Sequence, residues 1–216
     1  NQLPTRGISG KHSYCQGDPS EVTASGGTTY QWSNGDEGEK LQTIANSTIT
    51  QLKVTGTDEN GCKNDSTYAI DVIDLPNVSI IAPASTDICV GDSILLTAQN
   101  ADNYQWFTDN EDTQYAGTCI NTNCASIKPQ ITENIKFIVS GIQKTEKTYN
   151  NRVEDALCKA SAEISIMARP KPNVEIDPVN NICVNTSTNL TASNKETHAI
   201  IESWAWYKGD DNTQSI

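Results

Sequence analysis

Cys89-Val90-Gly91-Asp92-Ser93-Ile94-Leu95-Leu96-Thr97-Ala98, and then, five residues on, Tyr104-Gln105-Trp106, is the stretch from which the organisation of this chain is read. Ile94, Leu96 and Ala98 alternate along it, as do Tyr104 and Trp106, with the period of half-buried strands. The same signature stands upstream as Cys15-Gln16-Gly17-Asp18, Val22-Thr23-Ala24 and Tyr30-Gln31-Trp32, and downstream as Cys183-Val184-Asn185-Thr186 and Leu190-Thr191-Ala192. Each apolar-Thr-Ala triplet opens seven positions after its Cys, and in the first two copies the Trp lies seventeen positions after it. Three matches at one offset define an internal repeat. In the third copy Trp204-Ala205-Trp206-Tyr207 comes later, behind an insertion spanning Asn194 to Ser203.

The second halves of the repeats align as well. Leu52-Lys53-Val54-Thr55-Gly56 matches Phe137-Ile138-Val139-Ser140-Gly141, Cys62 matches Cys158, and the alternating segments Tyr68 to Val72 and Ala162 to Ile166 follow. Both run into Pro-Asn-Val, at Pro76 and at Pro172, each fourteen positions after its Cys. Module boundaries are therefore expected at these prolines, which fix φ and restrict the preceding residue. The parsing is 1–75, 76–171 and 172–216, the last being the first half of a repeat. The second module carries two insertions, both read as loops. One follows Trp106 and contains Cys119 and Cys124; the other is Gln143 to Leu157.

Composition narrows the class. A formal net charge of -12 over 216 residues argues against nucleic acid or anionic lipid as partner, since both require a basic surface. Thr, Ser, Asn and Asp dominate, helix-period stretches are missing, and no apolar run is long enough to cross a bilayer. The N-terminal residues lack the basic and apolar regions of a signal peptide. The chain is thus expected to be soluble, without direct membrane insertion. Seven cysteines in so polar a chain point to an oxidising compartment.

Turn signals at Ser25-Gly26-Gly27, Ser33-Asn34-Gly35-Asp36 and Asn60-Gly61 separate the alternating segments at short intervals. Six or seven strands per repeat predict an all-β chain of tandem immunoglobulin-like antiparallel β-sandwich domains. Trp32, Trp106 and Trp206 are the expected core aromatics. The succession Cys-x-Gly-Asp, apolar-Thr-Ala, Tyr-x-Trp and Val54-Thr55-Gly56-Thr57-Asp58-Glu59-Asn60-Gly61-Cys62 resembles the Ig-like and PKD-like repeats of very large adhesins secreted by Bacteroidota, gliding-motility adhesins among them. That resemblance covers nearly the whole chain. It implies export by a type IX route, outer-membrane attachment and an extracellular location at the cell surface.

Six cysteines allow fifteen connectivities, and spacing alone does not choose among them. The repeat suggests that each module closes on itself, Cys15 with Cys62 and Cys89 with Cys158, while Cys119 and Cys124, arriving together in one insertion, pair locally. Cys183 is then left without a partner by the end of the sequence. In antibody domains the bridge joins two core strands; here it would pin a terminal loop to a hairpin turn.

Signals for chemistry are sparse. His12 and His198 lie in no metalloprotease or nucleophile-elbow motif and are read as exposed loop residues. A zinc site at Cys119 and Cys124 would need further Cys or His ligands, so no metal and no cofactor is expected. The acidic turns at Asp58-Glu59, Asp109 to Asp112 and Asp210-Asp211 lack EF-hand spacing and are read as solvated turns. Ser66 and Ser93 stand in Asp-Ser-Thr and Asp-Ser-Ile, which resemble the O-glycosylation acceptor of periplasmic Bacteroidota proteins. The expected function is non-catalytic: stalk or adhesion repeats whose partners are neighbouring repeats of the same chain, surface glycans or a secretion and anchoring apparatus. Two rivals are an accessory array of a secreted glycan-active hydrolase and a self-assembling surface scaffold.

Overall fold

The computed structural model describes residues 7–46, 50–81, 83–109, 112–149 and 151–207. Every regular element among them is a strand. The first sandwich comprises β1 (Gly7–Gly10), β2 (Ser13–Cys15), β3 (Pro19–Ser25), β4 (Thr29–Trp32), β5 (Lys40–Ile44), β6 (Gln51–Thr57), β7 (Lys63–Ala69) and β8 (Asp71–Ile73). One sheet has the order β1-β3-β5; β4-β6-β7 forms the other, and β8, which follows β7 after Ile70, pairs in parallel with β2. Val22, Ala24 and Leu41 from the first sheet meet Trp32, Leu52, Val54 and Ile70 from the other side in one core.

The second sandwich repeats the plan with β9 (Ser79–Ile81), β10 (Asp87–Cys89), β11 (Leu96–Gln99), β12 (Asn103–Thr108), β13 (Ser126–Ile127), β14 (Ile135–Tyr149) and β15 (Arg152–Arg169). Its sheets are β9-β11-β13 and β10-β15-β14-β12, again with one parallel pair, β10 with β15. Leu96, Ala98 and Ile127 pack against Trp106, Phe137, Val139 and Ile166. The architecture is two successive immunoglobulin-like sandwiches, each closing its own apolar core.

The repeat signature has a local cause at each position. After Cys15 and Cys89 the chain reverses through Gly17 at φ 88° and Gly91 at φ 89°, and Asn185 takes φ 62° after Cys183. This left-handed conformation suits Gly or Asn. The Asp18, Asp92 and Thr186 amides donate to the carbonyls of Cys15, Cys89 and Cys183 at 3.0, 3.0 and 3.1 Å. In Tyr-x-Trp the phenol oxygen accepts from the backbone amide three residues upstream, Gly27 to Tyr30 and Ala101 to Tyr104, both at 2.8 Å. Each indole, 2% exposed, donates to a loop carbonyl, Gly38 for Trp32 and Cys124 for Trp106. A buried Trp needs that partner.

Two expectations require correction here. Gln143 to Leu157 is not a loop: β14 and β15 stay in continuous register from Ile135↔Ile166 to Tyr149↔Arg152, so the insertion lengthens a hairpin. Its turn includes Asn151 at φ 63°, which Asn tolerates. Trp206, expected in a core, is half-buried and joins no core cluster among the described residues. The described part of the third copy forms only β16 (Val174–Ile176) paired with β17 (Ala192–Asn194), and Trp204 to Trp206 belong to no strand. Ile176 pairs with Ala192 as Ile80 pairs with Ala98, so the opening of the repeat plan is kept.

Phe137→Ala, at a site 1% exposed, should cost about 3–5 kcal/mol in denaturant unfolding followed by tryptophan fluorescence. Gly141→Ala should cost about 1–3 kcal/mol, since its Cβ would fall 2.5 Å from Val78 Cγ2 and 2.8 Å from Ala101 Cβ. At the equivalent Gly56 the nearest contact is 3.6 Å, and Gly56→Ala should cost much less in the same assay.

Candidate functional site: a clamp between the sandwiches

The long hairpin leaves its own sandwich and lies against the first one. Along β15 the even-numbered residues from Glu154 to Ala168 face inward without interruption. Ala160 to Ala168 meet the second core, whereas Ala156 and Cys158, 6% and 1% exposed, pack with Cys15 in a small apolar cluster flanked by Ile73. One face of one strand thus serves two sandwiches, because a period of two keeps its orientation over any length.

Cys15 is bonded to Cys158, with Cα atoms 5.4 Å apart, within the ordinary span of a disulfide. The expected bridges Cys15 to Cys62 and Cys89 to Cys158 are therefore corrected: Cys62, Cys89 and Cys183 are free thiols. The physical reason is strand direction. Cys15 pairs with Ile73 at the far end of β8, whereas Cys62 stands just before β7 begins at Lys63, so these two cysteines lie at opposite ends of one sandwich. Cys158, at the matching place in the next sandwich, meets Cys15 across the junction. Cys119 and Cys124 are bonded to each other in the loop whose Cys124 carbonyl receives the Trp106 indole.

Polar contacts extend the junction. Glu154 Oε2 accepts the His12 amide at 2.7 Å and the Ser13 amide at 3.3 Å. The His12 ring, expected to be an exposed loop group, is stacked between Tyr68 at 4.2 Å and Tyr149 at 4.5 Å, with interplanar angles of 17° and 19°. Its Nδ1 lies 2.8 Å from the Ala69 carbonyl, which only accepts, so that nitrogen carries the proton. Tyr149 Oη donates to Asp71 Oδ2 at 2.5 Å and accepts from Ser13 Oγ at 3.3 Å. An open cleft follows the junction, lined by Gly10, His12, Tyr68, Tyr149, Arg152 and Glu154.

Sequence reading missed His12, Tyr68, Asp71, Tyr149 and Glu154 as a set. The one signal was the period of two at Ala156, Cys158, Ala160, Ala162 and Ile164, which runs backward from the recognised strand into the insertion. Of the acceptor sites, Ser93 is exposed and Ser66 is half-buried within β7. Asp58 Oδ1 accepts the amides of Asn60 and Cys62 at 2.9 and 2.8 Å, an acidic turn satisfied by its own backbone. Asp210-Asp211 and Glu111 lie outside the described residues. Among the described residues no three His, Cys, Asp or Glu side chains gather as a metal site.

No protein-family model matches the chain, and no curated protein matches it in sequence. Solved structures do. The three N-terminal domains of the bacteriophage RB49 highly immunogenic outer capsid protein align at 18% identity and TM-score 0.37, covering 89% of this chain and 68% of that one. Extracellular domains 3–5 of Drosophila OTK align at 13% and 0.32, covering 83% and 69%. A structure from a 1.5-MDa bacterial ice-binding adhesin aligns at 9% and 0.32, covering 82% and 70%. The fold assignment rests on the strand order and register above.

Burial, with Glu154 adding to it, raises Tyr68 to about 12. Tyr149 is raised by burial and then by its hydrogen bond to Asp71. A raised folded pKa means that the fold favours the neutral phenol. The resulting stability is present below the unfolded value near 10 and is lost as pH climbs from there through about 12. Thermal melts should accordingly fall over that alkaline window, and Tyr68→Phe should reduce the fall; an unchanged slope in Y68F would count against this assignment.

Proposed function

We propose that this chain is a non-catalytic, load-bearing segment of an extracellular surface protein of the adhesin or stalk type. The observation that carries the reading is the Cys15–Cys158 bond, which spans 143 positions and joins one sandwich to the next. Tension applied along the chain enters near Cys15 and leaves near Cys158 through sulfur. The covalent shunt spares most of both cores from the load. In the loop-entropy model a closure of this length contributes about 5 kcal/mol by restricting the unfolded chain. The bond also presupposes an oxidising compartment.

The aromatic and carboxylate contacts around the bond orient one sandwich against the other. The dense negative charge keeps a string of such units solvated and mutually repelling. The resemblance of the repeat signature to Bacteroidota gliding-motility adhesins extends the proposal to type IX export, outer-membrane attachment, and surface glycans or an anchoring apparatus as partners. O-glycosylation at the exposed Ser93 and at Ser66 belongs to the same proposal.

Single-molecule pulling from the two ends tests the shunt. The oxidised chain should withhold about 500 Å of contour, the extended length of the 143-residue loop at ~3.5 Å per residue, and a reductant should restore it. Equal extension before and after reduction would remove the basis of the load-bearing role.

A further inference from the structure

The disulfide that forms tells what the free cysteines are for. Cys62 and Cys158 occupy one position in the repeat: Gly56 pairs with Asn64 and Gly141 with Ala160, and each cysteine lies two residues before that partner. Cys15 and Cys89 also share one position, each ending the strand that pairs in parallel with the last strand of its sandwich. The backbone around them is duplicated bond for bond. Gln16, Gly17 and Asp18 amides donate to Ile73, Ala45 and Cys15 carbonyls at 2.8, 2.8 and 3.0 Å. Val90, Gly91 and Asp92 amides donate to Arg169, Ile131 and Cys89 carbonyls at 2.8, 2.7 and 3.0 Å. Cys15 is 4% exposed beneath the hairpin of the following sandwich, whereas Cys89 stands exposed at the matching edge.

We infer that Cys89 is the acceptor for the hairpin cysteine of a following repeat of the same kind, and Cys62 the donor to a preceding one. Successive sandwiches are then cross-linked first Cys to next late Cys, and Cys15–Cys158 is one rung of that ladder. The inference rests on the load-bearing reading above and extends it from one junction to a continuous shunt. In forming each rung, two thiols lose two protons and two electrons to a disulfide oxidant. That oxidant, a small-molecule disulfide such as oxidised glutathione, is reduced to two thiols.

The test inserts a second copy of residues 76–171 after Lys171 in the full chain, with the exposed Val153→Ile in the added copy as a mass label. After refolding in a glutathione redox buffer, peptide mapping without reduction should find the labelled Cys158 peptide joined to the original Cys89. The original Cys89 should lose its reactivity to iodoacetamide. A labelled Cys158 that is free, or joined to Cys89 of its own copy, overturns the ladder. A second measurement uses the unaltered chain: Cys89 should take up one glutathione in the native state while Cys15 and Cys158 take none, and refusal by Cys89 also overturns the proposal. Absence of Cys15–Cys158 itself would sink the load-bearing reading. Its presence without the new rung sinks the ladder alone.

Discussion

The bond between Cys15 and Cys158 is the constraint on which the arrangement of this molecule depends. It closes because three separate features meet. A turn with a left-handed third residue places Cys15 at the end of an edge strand. β15 then runs from Arg152 to Arg169 without a break, so Cys158 shares the inward face of Ile166. The longer hairpin, finally, brings Ala156 over the sulfur atoms and excludes water from them.

Around this bond the contributions are graded. The covalent closure contributes about 5 kcal/mol through chain entropy. Stacking of His12 between two tyrosines adds about 0.5–1.5 kcal/mol per aromatic pair. Glu154 acts differently, because it receives two amides at the edge of β2 that pair with no strand on that side. An open edge invites pairing with other chains, and a carboxylate placed there closes it. The exposed ion pairs of Lys144 with Asp155 and Lys147 with Asp71 contribute only about 0–1 kcal/mol each. Geometry at this junction is thus held by sulfur and aromatic packing, with the ion pairs subordinate.

Much of the fold was legible before any coordinates. The alternation at Ile94, Leu96 and Ala98, the Cys-x-Gly-Asp turn and the Tyr-x-Trp strand are local signals, and each sits in the structure where its period and turn chemistry require. The insertion was not legible as a hairpin, because Lys144, Glu146 and Lys147 are polar and solvated and show no apolar alternation. The clamp was not legible either. His12 precedes its sandwich's β2 and Tyr149 tips a hairpin of the next, and nothing in their neighbours along the chain relates them. The disulfide partner escaped for a subtler reason. Repeat alignment shows that Cys62 and Cys158 hold the same place in a unit, but not which unit supplies the sulfur they meet.

What the sequence determined by itself is the all-β sandwich plan, its turns and the aromatic centre of each complete repeat, since these follow from side-chain period and backbone preference over a few residues. Tertiary structure alone decided that Cys15 meets the next sandwich and not its own, and that a histidine and two tyrosines seal the junction. That choice depends on how two folded bodies sit across the short linker at Pro76 and on how far one hairpin reaches. Both are sums of many weak long-range contacts that no local pattern encodes.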